Sequence, residues 1–161
     1  AVAELKEGRS FATAKQMFTV ANCVACHKLN NIGQQIGPDL AKLDPKLKRL
    51  DILKELLDPS ARINEKFQTY IFEMESGKVH TGIILKETPT TLTVIENPLA
   101  KTEPVELKVA DIVAKEKSPT SIMPKGLLDK MTREEILDLI SYVIALGDEH
   151  HELFHGGHHG H

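Results

Sequence analysis

The sequence predicts a mainly helical fold with an inserted small antiparallel β-sheet, which makes it α+β overall. Near both ends of the 161-residue chain, apolar residues recur at three- and four-residue spacing, as they do in amphipathic helices. Between these regions, alternating and β-branched residues are typical of strands. We therefore expect a discontinuous helical part at 8–64 and 118–147, a sheet at 65–117, and a flexible His- and Gly-rich tail at 148–161.

Two helices are predicted before the sheet. Ser10 is a good N-cap for a helix that begins at Phe11, and its apolar stripe comprises Phe11, Ala14, Phe18 and Ala21. A second helix is predicted from Asp51, as its cap, to Leu57, because Pro59 disfavours helix in the residue before it. The expected buried face of this helix consists of Ile52, Leu53, Leu56 and Leu57.

The sheet is predicted to be an antiparallel meander with a turn at Ser76-Gly77. Its strands are expected at Phe67–Met74, through the alternating residues Val79, Thr81, Ile83 and Leu85, and at Thr90–Ile95, Val105–Val109 and Ile112–Lys115.

A third helix is predicted after the sheet. Thr132 and Glu135 have the spacing of a capping box, and Gly147 is expected to end the helix. Its apolar stripe is predicted to comprise Ile136, Leu139, Ile140, Val143 and Leu146.

Composition and charge exclude several classes of function. Hydrophobic residues make up 41% and charged residues 27% of the chain, as in globular proteins. The net charge of −3 gives no reason to expect nucleic acid or an anionic membrane as a partner, and no apolar run is long enough for a membrane span. Aromatic residues amount to only 4%, which leaves room for a bulky cofactor in the core.

The motif that carries chemistry is Cys23-Val24-Ala25-Cys26-His27, the c-type haem attachment sequence. Two thiols on one tight turn can form thioethers with the two vinyl groups of a porphyrin, and the following histidine can bind the iron. A dithiol redox pair or half of a zinc site are the alternatives. Zinc would need further ligands, which only His80 or the tail histidines could supply.

The second axial ligand of the iron could be a methionine, and the sequence has four: Met17, Met74, Met123 and Met131. Met123 is the strongest candidate because it lies on a loop, between Pro119 and Pro124, where the backbone can present a side chain. A methionine in a helix or strand is more often core filling. His80 is a rival ligand from the sheet.

These residues resemble a class I cytochrome c. The resemblance implies that the carbonyl of Pro38, in the loop Gly37 to Leu40, orients His27 and that Leu40 packs on the haem. It implies His27 and Met123 as axial ligands, and a contact between the terminal helices through Phe18 and Tyr142.

His27 and Met123 are 96 positions apart, far more than in a compact cytochrome c. The chain therefore resembles, more narrowly, the c-haem-binding domain first recognised in planctomycete and verrucomicrobial proteins, in which a strand module is inserted. The matching segments, in order, are Cys23 to His27, Gly37 to Leu40, Leu57 to Ser60, Phe67 to Lys115 and Ser121 to Leu127.

This resemblance implies electron transfer by one covalent haem c, without enzymatic activity, in a periplasmic or otherwise exported compartment. The expected partner is a redox protein or a fused dehydrogenase-like domain, with this chain as the C-terminal domain of a larger exported protein. The alternative is a haem enzyme, or a gas or redox sensor, with a labile distal ligand.

The tail holds six histidines: His150, His151, His155, His158, His159 and His161. Neutral imidazoles bind zinc, copper and nickel, so some divalent metal affinity is expected in vitro. For function, a solvated tail without a role is the favoured interpretation, because ordering a flexible segment costs backbone entropy; a metal-binding role is the alternative.

Overall fold

The computed structural model describes residues 5–100 and 103–155. The chain divides into two compact units, which we call the helical unit (Ala1–Asp58 and Lys125–His161) and the sheet unit (Pro59–Pro124). The sheet unit extends beyond the predicted 65–117 on both sides, because segments that flank the strands hydrogen-bond to each other within it. Met123 therefore belongs to the sheet unit and not to the predicted helical part at 118–147.

Helices α1 (Phe11–Val20) and α3 (Arg133–Ile144) pack against each other and form the centre of the helical unit. The rings of Phe18 and Tyr142 contact each other, with centroids 5.3 Å apart, as the resemblance implied. Both side chains are almost completely buried. This contact lies at the end of α1, directly before the cysteine motif.

The predicted caps of these two helices are confirmed. The hydroxyl of Ser10 accepts a hydrogen bond from the backbone N–H of Thr13 at 3.1 Å. At the start of α3, Thr132 accepts from the N–H of Glu135 at 3.2 Å, and the Glu135 carboxylate accepts from the N–H of Thr132 at 2.8 Å. Both helix ends are thus fixed by side chains whose identity the sequence shows directly.

Helix α2 spans Arg49–Leu57, and its N-cap is Lys48, three residues before the predicted cap. Asp51 is not the cap; its carboxylate lies in the first turn and accepts from the N–H of Lys48 at 3.0 Å. The helix dipole stabilises an acidic side chain both at the N-cap and in the first turn. The presence of an aspartate therefore does not show which of these two positions it occupies. Leu53 and Leu56 pack on the core, whereas Leu57, predicted as buried, is 51% exposed.

The end of α3 also differs from the prediction. The helix stops at Ile144, and Leu146 has a left-handed backbone with φ 53°. Leu146 is 48% exposed and so does not continue the apolar stripe. Gly147, with φ 74°, donates its N–H to the carbonyl of Tyr142 at 2.9 Å, which completes the helix stop.

The predicted flexibility of the tail is wrong for its first part. Leu153 lies in a short turn, Glu152–Phe154, and is 3% exposed. The carbonyl of Leu153 accepts a hydrogen bond from the backbone N–H of Arg9 at 2.8 Å. Leu153 packs in an apolar cluster with Leu5, Leu137 and Ile140. Burial of this side chain stabilises the segment, although the surrounding composition is rich in His and Gly.

The sheet unit contains one antiparallel sheet in the order β4-β3-β2-β1-β5. Its strands are β1 (Thr69–Met74), β2 (Val79–Glu87), β3 (Thr91–Ile95), β4 (Val105–Lys108) and β5 (Ile112–Lys117). The first four form the predicted meander, but β5 pairs with β1 at the opposite edge. The prediction of a simple meander is therefore wrong for the last strand.

The sheet must curl strongly, because only Val109–Asp111 separates β4 from β5. In a flat sheet, four strand spacings would put these two strands about 19 Å apart. A link of three residues spans at most about 14 Å. The two edges therefore approach each other. The buried cluster of the sheet unit comprises Phe72, Met74, Leu92, Val94 and Leu107.

The residues that alternate along β2 differ in burial. Ile83 is buried, whereas Val79 and Leu85 are exposed. Gly82 is buried, and a Cβ there would overlap with the carbonyl oxygen of Ile95 on the neighbouring strand. The backbone of β3 thus lies so close to Gly82 that a side chain at this position of β2 would clash with it.

Helices and strands contribute similar numbers of residues, so the fold is mixed α and β and the predicted predominance of helix is not confirmed. Among residues 5–100 and 103–155, no helix is both long enough and apolar enough to cross a bilayer.

Replacing Leu153 by alanine should lower the free energy of unfolding by about 2–5 kcal/mol, because the truncation leaves a cavity in a packed cluster. Chemical denaturation measures this change. The matched control is Val20→Ala, since Val20 is 60% exposed on α1, and it should change stability little. Equal stabilities of the two variants would show that the segment around Leu153 is not part of the fold.

Candidate functional site

The cysteine motif lies on a short 3₁₀ turn directly after α1. The chain leaves α1 through Asn22, which has a left-handed backbone with φ 60°. The turn spans Cys23–Ala25, and the N–H of His27 donates to the carbonyl of Cys23 at 2.8 Å. The two thiols and the imidazole are therefore held on five consecutive residues by the packing of α1 and by local backbone hydrogen bonds.

Both cysteines are free thiols. Burial raises the pKa of Cys23 to about 11, and burial also raises the pKa of Cys26. Redox-active dithiols have a lowered pKa, because nearby positive charge or a helix N-terminus stabilises the thiolate. The environment of these thiols is therefore the opposite of that in a dithiol oxidoreductase.

The imidazole of His27 has a defined orientation. Its Nδ1 atom lies 2.7 Å from the carbonyl oxygen of Pro38, and since a carbonyl can only accept, Nδ1 carries the proton and donates. Burial lowers the pKa of His27, against the opposing effect of the Pro38 contact, so the ring is neutral near pH 7. A neutral ring protonated at Nδ1 keeps the lone pair of Nε2 for a metal ion.

Two glycines allow the loop to close around His27. A Cβ at Gly37 would lie 2.9 Å from the imidazole Cε1 of His27, and a Cβ at Gly33 would overlap with the His27 carbonyl oxygen. The N–H of Gly37 donates to the carbonyl of Cys26 at 2.7 Å. No sequence pattern predicted these contacts for either residue; the only signal was two glycines shortly after the motif.

The loop after His27 is also fixed to the end of α3. The side-chain amide of Asn30 donates to the carbonyl of Gly147 at 3.1 Å. A Cβ at Gly147 would lie 2.9 Å from the Cβ of Asn30, so this close approach requires glycine. The contact joins residues far apart in sequence, and no local pattern could reveal it.

The surroundings of the motif are apolar. Cys23 belongs to a cluster that includes Phe18, Leu128 and Tyr142, and Leu40 packs against it. Leu40 begins a short turn that Asp39 caps by accepting from the N–H of Ala41 at 2.9 Å.

A cleft of about 400 Å³ lies within the helical unit. Its lining residues are Leu56, Leu57, Lys125, Gly126, Leu128 and Asp129. Leu56 and Leu128 also belong to the apolar cluster around Cys23, so the cleft opens on the same cluster. The donor set and these surroundings fit a mainly apolar group anchored by two sulfur atoms and one imidazole.

The four methionines occupy different environments. Met17 is buried in the helical core, Met74 lies inside the sheet, and Met131 packs against the helical core. Met123 is half-buried on the loop after β5, and it belongs to none of the apolar clusters formed by the described residues. His80 has a partner of its own, since its Nδ1 lies 2.6 Å from a carboxylate oxygen of Glu96.

In the described part of the tail, two histidine side chains form hydrogen bonds. His151 Nδ1 accepts from the N–H of Leu153 at 3.2 Å, and His155 Nε2 lies 2.9 Å from the carbonyl of Glu149. No cluster of three metal-ligating side chains is found within residues 5–100 and 103–155. His158, His159 and His161 lie outside the described residues, so metal binding by the tail stays a prediction.

Replacing Gly37 by alanine should push the His27 ring away from the Pro38 carbonyl. The slowly exchanging Nδ1 proton of His27 should disappear from a proton–nitrogen NMR spectrum of the ring, and stability should fall by about 1–3 kcal/mol, as in an overpacked core. Thr19→Ala, an exposed change on α1, is the control. A retained Nδ1 signal in the Gly37 variant would contradict the tight contact.

Comparison with known proteins gives one family match. The family model described as cytochrome c matches residues 11–88, which include α1, the cysteine motif, the Pro38 loop and α2. The comparison with curated proteins gives no match. The chain is therefore similar to cytochrome c over these residues, and this similarity supports haem binding and electron transfer as its chemistry.

Proposed function

We propose that the chain is a single-haem electron-transfer domain. Cys23 and Cys26 carry one haem c as thioethers, His27 binds the iron through Nε2, and Met123 is the second axial ligand. The observation that carries the proposal is the hydrogen bond between His27 Nδ1 and the Pro38 carbonyl. It selects the tautomer that an iron ligand needs and fixes the plane of the ring.

The protein's own residues would anchor and shield the group. When bound, the haem supplies a one-electron couple between ferric and ferrous iron. The buried Cys23 and the half-buried Cys26 anchor it at one edge, while Leu40 and Leu128 exclude water. Apolar surroundings of this kind tune the potential by controlling solvent access.

Met123 is proposed as ligand because the other three methionines are accounted for by packing. A thioether ligand opposite histidine raises the reduction potential. With both axial positions filled, no position is left for a substrate, so the domain is not an enzyme under this proposal. A haem enzyme or sensor is the alternative if Met123 does not hold the iron.

The cellular setting is proposed from the family. Cytochrome c domains are typically exported or periplasmic, and a redox protein or a fused dehydrogenase-like domain would exchange electrons with the haem. Within the class, we propose the planctomycete and verrucomicrobial type with an inserted strand module. The support is the sheet between α2 and α3 and the hydrogen bond that joins two of the type's segments, at Ser60 and Ser121.

Haem should stay with the polypeptide after acid–acetone extraction of the denatured protein, because thioether bonds survive this treatment. The double variant Cys23→Ala/Cys26→Ala should lose all haem in the same extraction, followed by absorbance of the precipitated protein. Complete loss of colour from the unaltered protein would end the proposal.

Met123→Ala should leave the haem attached but open one axial position. The ferrous form should then bind carbon monoxide readily, and the oxidised spectrum should lose the charge-transfer band of sulfur–iron ligation. The matched controls are Met131→Ala and His80→Ala, which should keep the spectrum of the unaltered protein. Free access of carbon monoxide in the unaltered protein would favour the enzyme or sensor.

A further inference from the structure

We infer that the hydroxyl groups of Ser60 and Ser121 are positioning groups, which hold Met123 in the place from which it binds iron. The inference rests on the proposed ligation by Met123 and extends it to two residues that do not touch the haem iron. It concerns only contacts within the sheet unit.

A chain of two hydrogen bonds links Met123 to a distant segment. The hydroxyl of Ser121 accepts from the backbone N–H of Met123 at 3.1 Å. The N–H of Ser121 in turn donates to the hydroxyl of Ser60 at 3.0 Å. Because Ser60 follows α2 and Ser121 follows β5, this chain fixes the loop to a segment 61 positions away.

The start of the same loop is fixed independently. The side-chain amide of Gln68 donates to the carbonyls of Thr69 and Ser118, at 2.8 and 2.9 Å. The N–H of Ser118 donates to the Thr69 carbonyl at 2.8 Å. Both Gln68 and Ser118 are buried. The loop therefore has one fixed point at Ser118 and a second at Ser121.

Two prolines restrict what remains free. Pro119 and Pro124 have a fixed φ, and each restricts the residue before it to extended conformations. Met123 is one of those residues. Its backbone is thus limited by Pro124 on one side and by the hydroxyl of Ser121 on the other, while its side chain is left without an apolar cluster among the described residues.

This arrangement matters for the strength of the sulfur–iron bond. A loop without these contacts would lose backbone entropy each time its ligand binds, and the bond would compete less well with an external ligand. A preorganised loop avoids most of that cost. Loss of one hydrogen bond should therefore favour an external ligand by about two- to tenfold.

The test is a titration of the oxidised holoprotein with imidazole. Ser121→Ala should lower the apparent Kd for imidazole by about two- to tenfold and weaken the charge-transfer band of sulfur–iron ligation. Ser60→Ala should act in the same direction. Ser121→Thr keeps a hydroxyl and should restore the affinity of the unaltered protein.

The matched control is Ser76→Ala. The hydroxyl of Ser76 accepts from the N–H of Lys78, two residues on, at 3.4 Å, as Ser121 does for Met123, but it lies in the turn between β1 and β2. Its removal should leave the Kd for imidazole unchanged.

Three results would overturn the inference. If Ser121→Ala lowers the unfolding midpoint without changing the Kd for imidazole, its hydroxyl is merely structural. If Ser121→Thr fails to restore the Kd, the hydroxyl is not the cause. If Met123→Ala itself leaves the Kd for imidazole unchanged, the proposed ligation is wrong and this inference falls with it. If Met123→Ala lowers the Kd but Ser121→Ala and Ser60→Ala do not, the proposed ligation stands and only the inference is wrong.

Discussion

The hydrogen bond between His27 and Pro38 constrains the largest part of the candidate site. It joins the ring at the end of the cysteine motif to a backbone carbonyl eleven residues later, so the intervening chain must fold back closely on the imidazole. That close return explains why Gly33 and Gly37 carry no side chain. It also brings Leu40, directly after the loop, against the apolar cluster that contains Cys23.

The same bond depends on the packing of the helices. The turn Cys23–Ala25 starts where α1 ends, and α1 is held by the contact of Phe18 with Tyr142 on α3. A rotation of α1 would therefore move both thiols and the imidazole together. The site is stable because its residues are short extensions of a packed helix pair rather than parts of a free loop.

The sequence patterns predicted those features of the structure that depend on contacts between residues close in sequence. Ser10 and Thr132 cap their helices through contacts three residues away, and such contacts are visible in the sequence. The orientation of His27 by Pro38 was implied only by the resemblance, since no spacing rule selects that carbonyl. The close contacts of Gly33 and Gly37 with His27 were not predicted, because they form only when the loop folds back on the imidazole.

Non-local pairing was beyond the sequence patterns. The position of β5 beside β1 follows from curling of the whole sheet, which no single strand encodes. The folded segment around Leu153 was missed because two apolar residues, Leu153 and Phe154, are diluted by His and Gly. Both errors arise where a few long-range contacts outweigh local composition.

The two proposed axial ligands are held by separate sets of contacts. His27 is fixed by backbone groups of the helical unit, whereas the Met123 loop is fixed by Gln68, Ser60 and Ser121 of the sheet unit. An insertion between two ligands would ordinarily add freedom to the second one, because a longer connection has more conformations to lose. Here the residue directly before β1 is Gln68, and its amide fixes the start of the ligand loop. Under the proposed function, the insertion thus compensates for the longer connection that it creates, because its contacts fix the loop that carries Met123.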